Sequence, residues 1–408
     1  MDIKKPGSGR EAVRACFEKI KEETTVRDVI NTVLFVCLFT FYTLTFFVPR
    51  FYGLTEKYVG VFVFIVLAVI FAVNINPIAK LKEKDIDLAA LILLLLLTGI
   101  NIIAVKSGYG CFFVMADFAL AWYLSSRIKL HKWQFDLFGM MYVAMLIYWF
   151  FAVYTWMFAD YTSFAMNTNT AATFTMFSML CAFVFFDHLY EHHVIAGLLI
   201  TVALVKCFQI ALYHRSRGAF IMLGVFFVLR FLVPKKVWAK KWFFNTMCVI
   251  ATFGSLAFVA FYIWLGTTGV NFRMPFFYKN IFSGREAIWL EFWNYFKQKP
   301  LTGIGTNVTI TSFFEFNVHN AMYNIVVIHG LLVFALMMFI IFRRLFAVRE
   351  GIGSGRVVLC AVAAVFAVFI ESFFDVDLIW TNYTVNLLFL LLAANTRQEN
   401  GGESVIEG

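Results

Sequence analysis

Long apolar runs separated by short polar segments dominate the sequence. Each run approaches the length of about 20 apolar residues that a membrane-spanning helix needs. The runs lie at 29–48, 58–76, 86–104, 109–126, 135–157, 169–187, 193–213, 218–233, 242–265, 318–342, 356–372 and 376–395. The pattern predicts an all-α, polytopic membrane protein with about 12 transmembrane helices.

The polar segments divide the chain into parts. Residues 29–395 are predicted to form a single transmembrane domain, between a polar N-terminal segment at 1–28 and a polar tail at 396–408. The long polar connection within this domain is the loop 266–317. One helical face of this loop carries the aromatic residues Trp289, Phe292, Trp293 and Phe296. Their spacing predicts an amphipathic helix that rests in the membrane interface.

Composition and charge agree with a membrane protein. Hydrophobic residues make up 62% of the chain and charged residues 14%, against about 25% charged residues in soluble domains. Of the 34 Lys and Arg residues, 22 lie in segments on the N-terminal side of the bundle and 10 on the other side. This asymmetry predicts cytoplasmic termini and a loop 266–317 on the outer face. It also explains the net charge of +9 without a nucleic-acid partner.

Patterns typical of metal sites and disulfides are weak. The seven cysteines include no CxxC pair, and most of them fall within apolar runs, which favours buried thiols over a disulfide framework. The His188–His193 stretch has ligand-like spacing but reads better as a polar helix junction. Asp375-Val376-Asp377 resembles a metal-binding DxD motif of transferases that use nucleotide sugars, but its predicted face has none. We therefore expect no metal and no cofactor.

Two groups of arginines are candidates for anion binding on the outer face. Arg215 and Arg217 lie in the tight connection between the seventh and eighth runs, and Arg285 lies in the long loop. An arginine is always charged, and its planar fork matches two phosphate oxygens at once. The alternative is that these arginines anchor a helix end to lipid headgroups.

His319 is the candidate general base. We expect it in the first turn of the tenth helix, where the helix dipole and unpaired N–H groups disfavour a positive imidazolium. A neutral imidazole can accept a proton, as a general base must. The alternative is an interfacial or capping histidine. His329, deeper in the same helix, is expected to pack inside the bundle.

Three motifs together resemble one protein family. They are Ser216-Arg217-Gly218-Ala219, then Gly284-Arg285 with Trp289 and Lys299-Pro300-Leu301-Thr302-Gly303-Ile304-Gly305, and last His319-Asn320 followed after nine residues by Gly330. In this order they are similar to the signatures of the O-antigen ligase and polymerase family of bacterial envelope polysaccharide assembly. Val333 departs from the ligase pattern and favours a polymerase, so both activities stay open.

The resemblance implies a metal-independent, inverting glycosyltransferase in the plasma (inner) membrane. Its donor would be a glycan linked to undecaprenyl diphosphate, and its acceptor a hydroxyl of a glycan or glycolipid at the outer face. The family pattern assigns the diphosphate to Arg217 and Arg285, with Arg215 as a further candidate, and the base to His319. The supporting candidates are Asn320, Glu371 and Asp375, of which the last two would orient the histidine or bind acceptor hydroxyls.

A transporter or flippase of lipid-linked sugars or another envelope polymer is the rival class. Such proteins have interrupted helices and substrate sites near the middle of the membrane. All six prolines of this chain lie outside the predicted helix interiors. Few ionisable residues lie deep in the runs, and Lys206 with Asp117 could form one structural pair. These features favour the transferase.

Overall fold

The fold is a bundle of helices. The computed structural model describes residues 24–152, 167–190, 194–270, 273–274, 280, 282–312, 317–352 and 355–395. Apart from an isolated bridge between Arg273 and Asn280, the regular structure in these ranges is helical. The all-α prediction is therefore confirmed for the described part of the chain.

Each predicted apolar run overlaps a helix, with ends that differ by up to nine residues. They are α1 (Val26–Phe47), α2 (Pro49–Asn74), α3 (Pro77–Lys82), α4 (Ile86–Ala104), α5 (Gly110–Leu124), α6 (Lys132–Ala152), α7 (Thr168–Tyr190), α8 (Val194–Tyr213), α9 (Arg217–Phe227), α10 (Lys235–Trp238), α11 (Lys241–Thr267), α12 (Arg285–Phe296), α13 (Ala321–Arg349), α14 (Arg356–Glu371) and α15 (Thr384–Ala393). A π-helical turn, Val228–Leu232, extends α9, and a 3₁₀ turn, Thr381–Tyr383, precedes α15.

Within the described residues, eight helices are long and apolar enough to cross a membrane: α1, α2, α4, α6, α7, α8, α11 and α13. The protein is thus a polytopic membrane protein. The other four predicted runs correspond to the shorter helices α5, α9, α14 and α15. The prediction of about 12 spans is therefore not confirmed by helix length.

Ion pairs join helices at the end of the bundle where α1 begins. Arg127 Nη2 lies 2.6 Å from Asp85 Oδ2, just before α4. Arg230 makes two bonds to the buried Asp187 carboxylate, from Nε at 2.5 Å and from Nη2 at 2.6 Å. The paired carboxylates compensate much of the cost of placing these arginines near apolar surface. The candidate site lies at the other end.

Helix α13 is interrupted at Gly330, where φ is 83° and ψ is 170°. The 299–305 segment docks against this break: Ile304 N–H donates to Val327 O at 2.8 Å, and Leu331 N–H donates to Pro300 O at 2.9 Å. At Gly303 an added Cβ would lie 2.3 Å from the carbonyl oxygen of Ile328, so only glycine fits. The lack of proline within the predicted helices suggested that they are continuous, but α13 is interrupted at a glycine.

The helix predicted in the long loop is present as α12. Its buried residues are Ile288, Trp289, Phe292 and Phe296, and this face packs on α11 and α13. Trp293 was predicted to share that face, but it is 42% exposed. The aromatic face therefore serves to fix α12 over one end of the bundle.

Candidate functional site

Arg217 links the start of α9 to the long loop. The hydroxyl of Ser216 caps α9 by accepting a bond from Ala219 N–H at 3.4 Å, which fixes the position of the next residue. Arg217 Nη2 donates to Ser283 Oγ at 2.7 Å, and Nη1 donates to the Asn280 carbonyl oxygen at 3.2 Å. The guanidinium is therefore held at the bundle end, beside the start of α12.

Arg285 is the first residue of α12 and follows Gly284, whose φ of 82° turns the chain into the helix. Its Nη2 lies 3.9 Å from Asp375 Oδ2. Arg217 and Arg285 line one small pocket. The other residues of its wall are Asn169, Thr173, Ser216, Gly218, Glu371, Phe374 and Asp375. The loop and α9, distant in sequence, thus present two arginines to one space.

Arg215 does not belong to this wall. It is an exposed residue with a φ of 50°, in the turn between α8 and α9. Of the three arginines predicted from the sequence, the structure brings Arg217 and Arg285 together and places Arg215 outside the pocket.

The pocket combines two positive side chains with acidic ones. Burial, and then the positive charge of Arg285, lower the pKa of Arg217 from its usual range. An arginine nevertheless keeps its proton at neutral pH. The two guanidinium groups repel each other in this half-buried pocket, and the Asp375 carboxylate in the same wall, 3.9 Å from Arg285, offsets part of their charge.

His319 lies next to this pocket. Its Nδ1 is 3.5 Å from Asp375 Oδ1. The residue was expected in the first turn of its helix, but α13 begins at Ala321 and His319 lies just before the helix cap. Its backbone is left-handed, with a φ of 51°, and its N–H donates to Asn317 Oδ1 at 2.8 Å. His319 therefore lies against Asp375, outside the first turn of the helix.

Asp375 contacts both of the groups that carry the candidate chemistry. Burial raises the pKa of Asp375, but the neighbouring His319 imidazole and the charge of Arg285 outweigh burial and hold the pKa below its usual range. Burial and the nearby Asp375 carboxylate raise the pKa of Asp377 to about 8. Asp375 is thus a carboxylate at neutral pH, whereas Asp377 is mainly protonated there.

Glu371 occupies a different position from Asp375. It is 1% exposed at the end of α14, and its Oε2 makes no hydrogen bond to the residues that the structure describes. A Cβ added at Gly218 would lie 2.6 Å from Glu371 Oε1, so the glycine lets α9 approach this carboxyl. Of the two acidic candidates, Asp375 is the one that contacts His319.

Asn320 is the N-cap of α13, and its side chain is used within the protein. Its Oδ1 accepts from Tyr323 N–H and from Ser255 Oγ, both at 2.9 Å, and its Nδ2 donates to Phe373 O at 3.0 Å. These bonds tie the start of α13 to α11 and to the turn that carries Asp375. Asn320 therefore positions His319.

Two further contacts at this site were not foreseen from the sequence. The Trp289 indole N–H donates to Val318 O at 2.6 Å, directly before His319. Ser255, in the middle of α11, holds the Asn320 side chain. Trp289 belongs to one of the three motifs, so the sequence indicated that it lies near the site. Ser255 is an isolated serine in an apolar helix, and nothing in the sequence marks it as part of the site.

The metal-like clusters of the sequence are not assembled in the described part of the chain. No group of three or more His, Cys, Asp or Glu side chains there could hold a metal ion. His188 Nε2 instead lies 3.3 Å from Asp136 Oδ1. Residues 191–193, the rest of the predicted cluster, lie outside the described residues.

Part of the chain is similar to a known protein family. Residues 202–338 match the family model described as O-antigen ligase. This segment, about a third of the chain, is similar to O-antigen ligases. It contains Arg217, Arg285, His319 and Asn320, while Asp375 lies beyond its end. A comparison with curated proteins found no match.

Proposed function

We propose that this protein is a membrane glycosyltransferase that moves a glycan from an undecaprenyl-diphosphate carrier to an acceptor hydroxyl. The observation that carries the proposal is the pairing of two arginines in one pocket with a His319–Asp375 contact beside it. The similarity of residues 202–338, which include three of these residues, to O-antigen ligases supports the same reaction class.

The arginine pocket would hold the diphosphate of the donor. As the glycosidic bond breaks, the leaving diphosphate gains negative charge. Two guanidinium groups, Arg217 and Arg285, stand fixed before the reaction and stabilise that charge as it develops. The release of their mutual repulsion adds to the preference for a doubly charged group.

His319 would act as the general base. Its Nε2 takes the proton of the acceptor hydroxyl, whose oxygen attacks the anomeric carbon from the face opposite the diphosphate. The bond from that carbon to the phosphate oxygen breaks, and the diphosphate leaves with the electron pair, so the anomeric configuration inverts. Asp375 stabilises the imidazolium that forms, and no metal ion is required in this scheme.

We place this reaction on the outer face of the plasma membrane. The basic asymmetry puts Lys236 and the other basic residues between α9 and α11 on the cytoplasmic side, opposite the Arg217–Arg285 pocket. In this scheme the shorter helices α5, α9, α14 and α15 complete about 12 crossings, with both termini in the cytoplasm.

Transfer assays in isolated membranes test the proposal. Wild-type protein is supplied with an undecaprenyl-diphosphate oligosaccharide and a panel of glycan and glycolipid acceptors. His319→Ala should lose about 10²–10⁴-fold in rate but keep donor binding, because the arginines remain. His131→Ala is the matched control, since His131 contacts Asp28 near the start of α1. Repeated extension of the acceptor indicates a polymerase, and a single transfer indicates a ligase.

Three results would overturn the proposed function. They are normal turnover by His319→Ala, the absence of transfer by the wild type with every donor, and inhibition by EDTA that a divalent cation reverses. Loss of donor binding in His319→Ala would instead assign this histidine to the phosphate site.

Transport is the second candidate, because the structure contains two features of transporters. Helix α13 is broken at Gly330, and the buried Asp117 carboxylate accepts no hydrogen bond from the described residues. Its expected partner Lys206 donates instead to Gln209 Oε1 at 3.2 Å. Reconstituted vesicles separate the two classes: a flippase moves a fluorescent polyprenyl-diphosphate lipid across the bilayer without an acceptor, whereas a transferase consumes it only with one.

A further inference from the structure

A second cavity lies beside the candidate site. Its volume is about 500 Å³, within the usual range of small-molecule pockets. The wall is largely apolar, with Val114, Ile328, Val376 and Ile379 among its residues. Polar and aromatic side chains interrupt it at Thr306, Asn317, Asn324, His329 and Trp380. The cavity follows α13 from its start to His329, which at 1.5 Å per residue is about 12 Å below Ala321.

One strip of backbone separates this cavity from the arginine pocket. Phe374 and Asp375 line the arginine pocket, and the next residue, Val376, lines the cavity. On the facing segment, Val318 lines the cavity and His319 follows it. The His319–Asp375 contact therefore lies next to residues that line both spaces.

We propose that this cavity binds the acceptor glycan, with a sugar ring against Trp380 and sugar hydroxyls on His329 and Asn324. The proposal rests on the function proposed above and adds where the second substrate lies. It also assigns roles to His329 and Trp380, two residues outside the arginine–histidine site.

The chemistry of the wall matches a sugar ring. A sugar carries hydroxyl groups around its rim and apolar C–H faces, so it needs hydrogen-bonding groups beside an aromatic surface. His329 is 2% exposed and lines the cavity. A buried imidazole needs hydrogen-bond partners, and a ligand hydroxyl in the cavity would supply one. A polyprenyl tail would leave it unsatisfied.

The position of the cavity also suits an inverting displacement. The incoming oxygen and the leaving diphosphate must lie on opposite sides of the anomeric carbon. Asp375 lines the diphosphate pocket, whereas Val318 and Val376, the chain neighbours of His319 and Asp375, line the cavity. An acceptor in the cavity would therefore present its hydroxyl to the base from the side away from the arginines.

Steady-state transfer in membranes tests the proposal, with the acceptor and the donor varied separately. Trp380→Leu and His329→Gln should each raise the acceptor KM about three- to tenfold, with little change in the donor KM. Trp380→Phe keeps an aromatic face and should stay close to the wild type. Trp264→Leu is the matched control, because Trp264 is 59% exposed and does not line the cavity.

A native thiol provides a second readout. Cys111 lines the cavity, and its Sγ donates to Gly108 O at 2.9 Å. In a variant that keeps Cys111 as its single cysteine, the acceptor that supports turnover should slow modification by N-ethylmaleimide. The lipid donor alone should not slow it.

The outcomes separate this inference from the proposed function. Suppose that the wild type transfers glycan and that His329→Gln leaves the acceptor KM unchanged. If Trp380→Leu also leaves the acceptor KM unchanged, or changes it no more than Trp380→Phe does, the acceptor site is refuted while the proposed function stands. A rise in the donor KM in place of the acceptor KM shows that the cavity holds the lipid, which also overturns it. Failure of the wild type to transfer from any donor overturns the function itself.

Discussion

Replacing Arg217 by lysine tests the diphosphate pocket directly. The substitution keeps one positive charge but replaces a planar fork by a single ammonium group. In the structure Arg217 uses Nη2 for Ser283 Oγ at 2.7 Å and Nη1 for Asn280 O at 3.2 Å. A lysine Nζ at this place can make one of these directed contacts well, but it cannot present two parallel donors to a phosphate.

The expected loss follows from one missing charged hydrogen bond. Such a bond contributes roughly 1.5–3 kcal/mol, which corresponds to a fall of about ten- to a hundredfold in transfer rate. Part of any loss could instead come from the loop that Arg217 holds. Ser283→Ala removes the 2.7 Å contact and leaves the guanidinium in place, so it measures that contribution alone.

The assay compares kcat/KM for the lipid donor in membranes that contain equal amounts of each protein. We expect Arg217→Lys to lose at least several times more than Ser283→Ala, and Arg285→Lys to behave like Arg217→Lys. Equal losses in Arg217→Lys and Ser283→Ala would show that the arginine only holds the loop. Near-normal rates in both lysine variants would refute the diphosphate pocket.

Three further predictions concern stability and topology. The pKa of Asp377 is about 8 in the folded protein and about 4 in the unfolded chain. Between pH 4 and pH 8 the folded state therefore binds more protons than the unfolded state, and its stability falls as the pH rises. Asp377→Asn removes this loss and should raise the thermal midpoint more at pH 8 than at pH 5. Gly218→Ala should cost about 1–3 kcal/mol of stability by crowding Glu371, and Glu371→Ala should restore part of it; full stability of Gly218→Ala would contradict the close contact. Single cysteines at Ser283 and Lys236 should label from opposite sides of the membrane, and labelling from one side would refute the proposed topology.

Much of the fold could be predicted because apolar runs and helix periodicity are local properties. The predicted runs at 86–104 and 193–213 coincide with α4 and α8 to within a residue. The amphipathic helix in the long loop was also found from its period. One of the four residues predicted for its buried face was wrong, because Ile288 is buried in place of Trp293. Packing against α11 and α13 decides which residues of α12 are buried. The spacing of residues within α12 does not reveal where these neighbouring helices lie.

The site was only partly predictable. Arg217, Arg285 and His319 were identified from motifs, but their convergence depends on packing between elements far apart in sequence. The choice between Glu371 and Asp375 could not be made, since it depends on how the turn after α14 bends. That turn brings Asp375 to 3.5 Å from His319, while Glu371 stays at the helix end against Gly218. Both carboxyl groups line the arginine pocket, and the bend of the turn decides which of them contacts His319.

The spacing of His319, Asn320 and Gly330 has a structural explanation. Asn320 caps α13 and Gly330 ends its first segment, so the nine residues between them form a helix of fixed length, about 13 Å. At one end of this segment the cap bonds of Asn320 hold His319 beside Asp375. At the other end Gly330 N–H and the neighbouring carbonyls meet the 299–305 segment, which runs directly on from α12 and Arg285. A residue inserted between Asn320 and Gly330 would turn the cap by about 100° relative to the break. The insertion would therefore move His319 away from the loop that carries Arg285. The nine-residue spacing between Asn320 and Gly330 thus fixes the position of the base relative to the phosphate pocket.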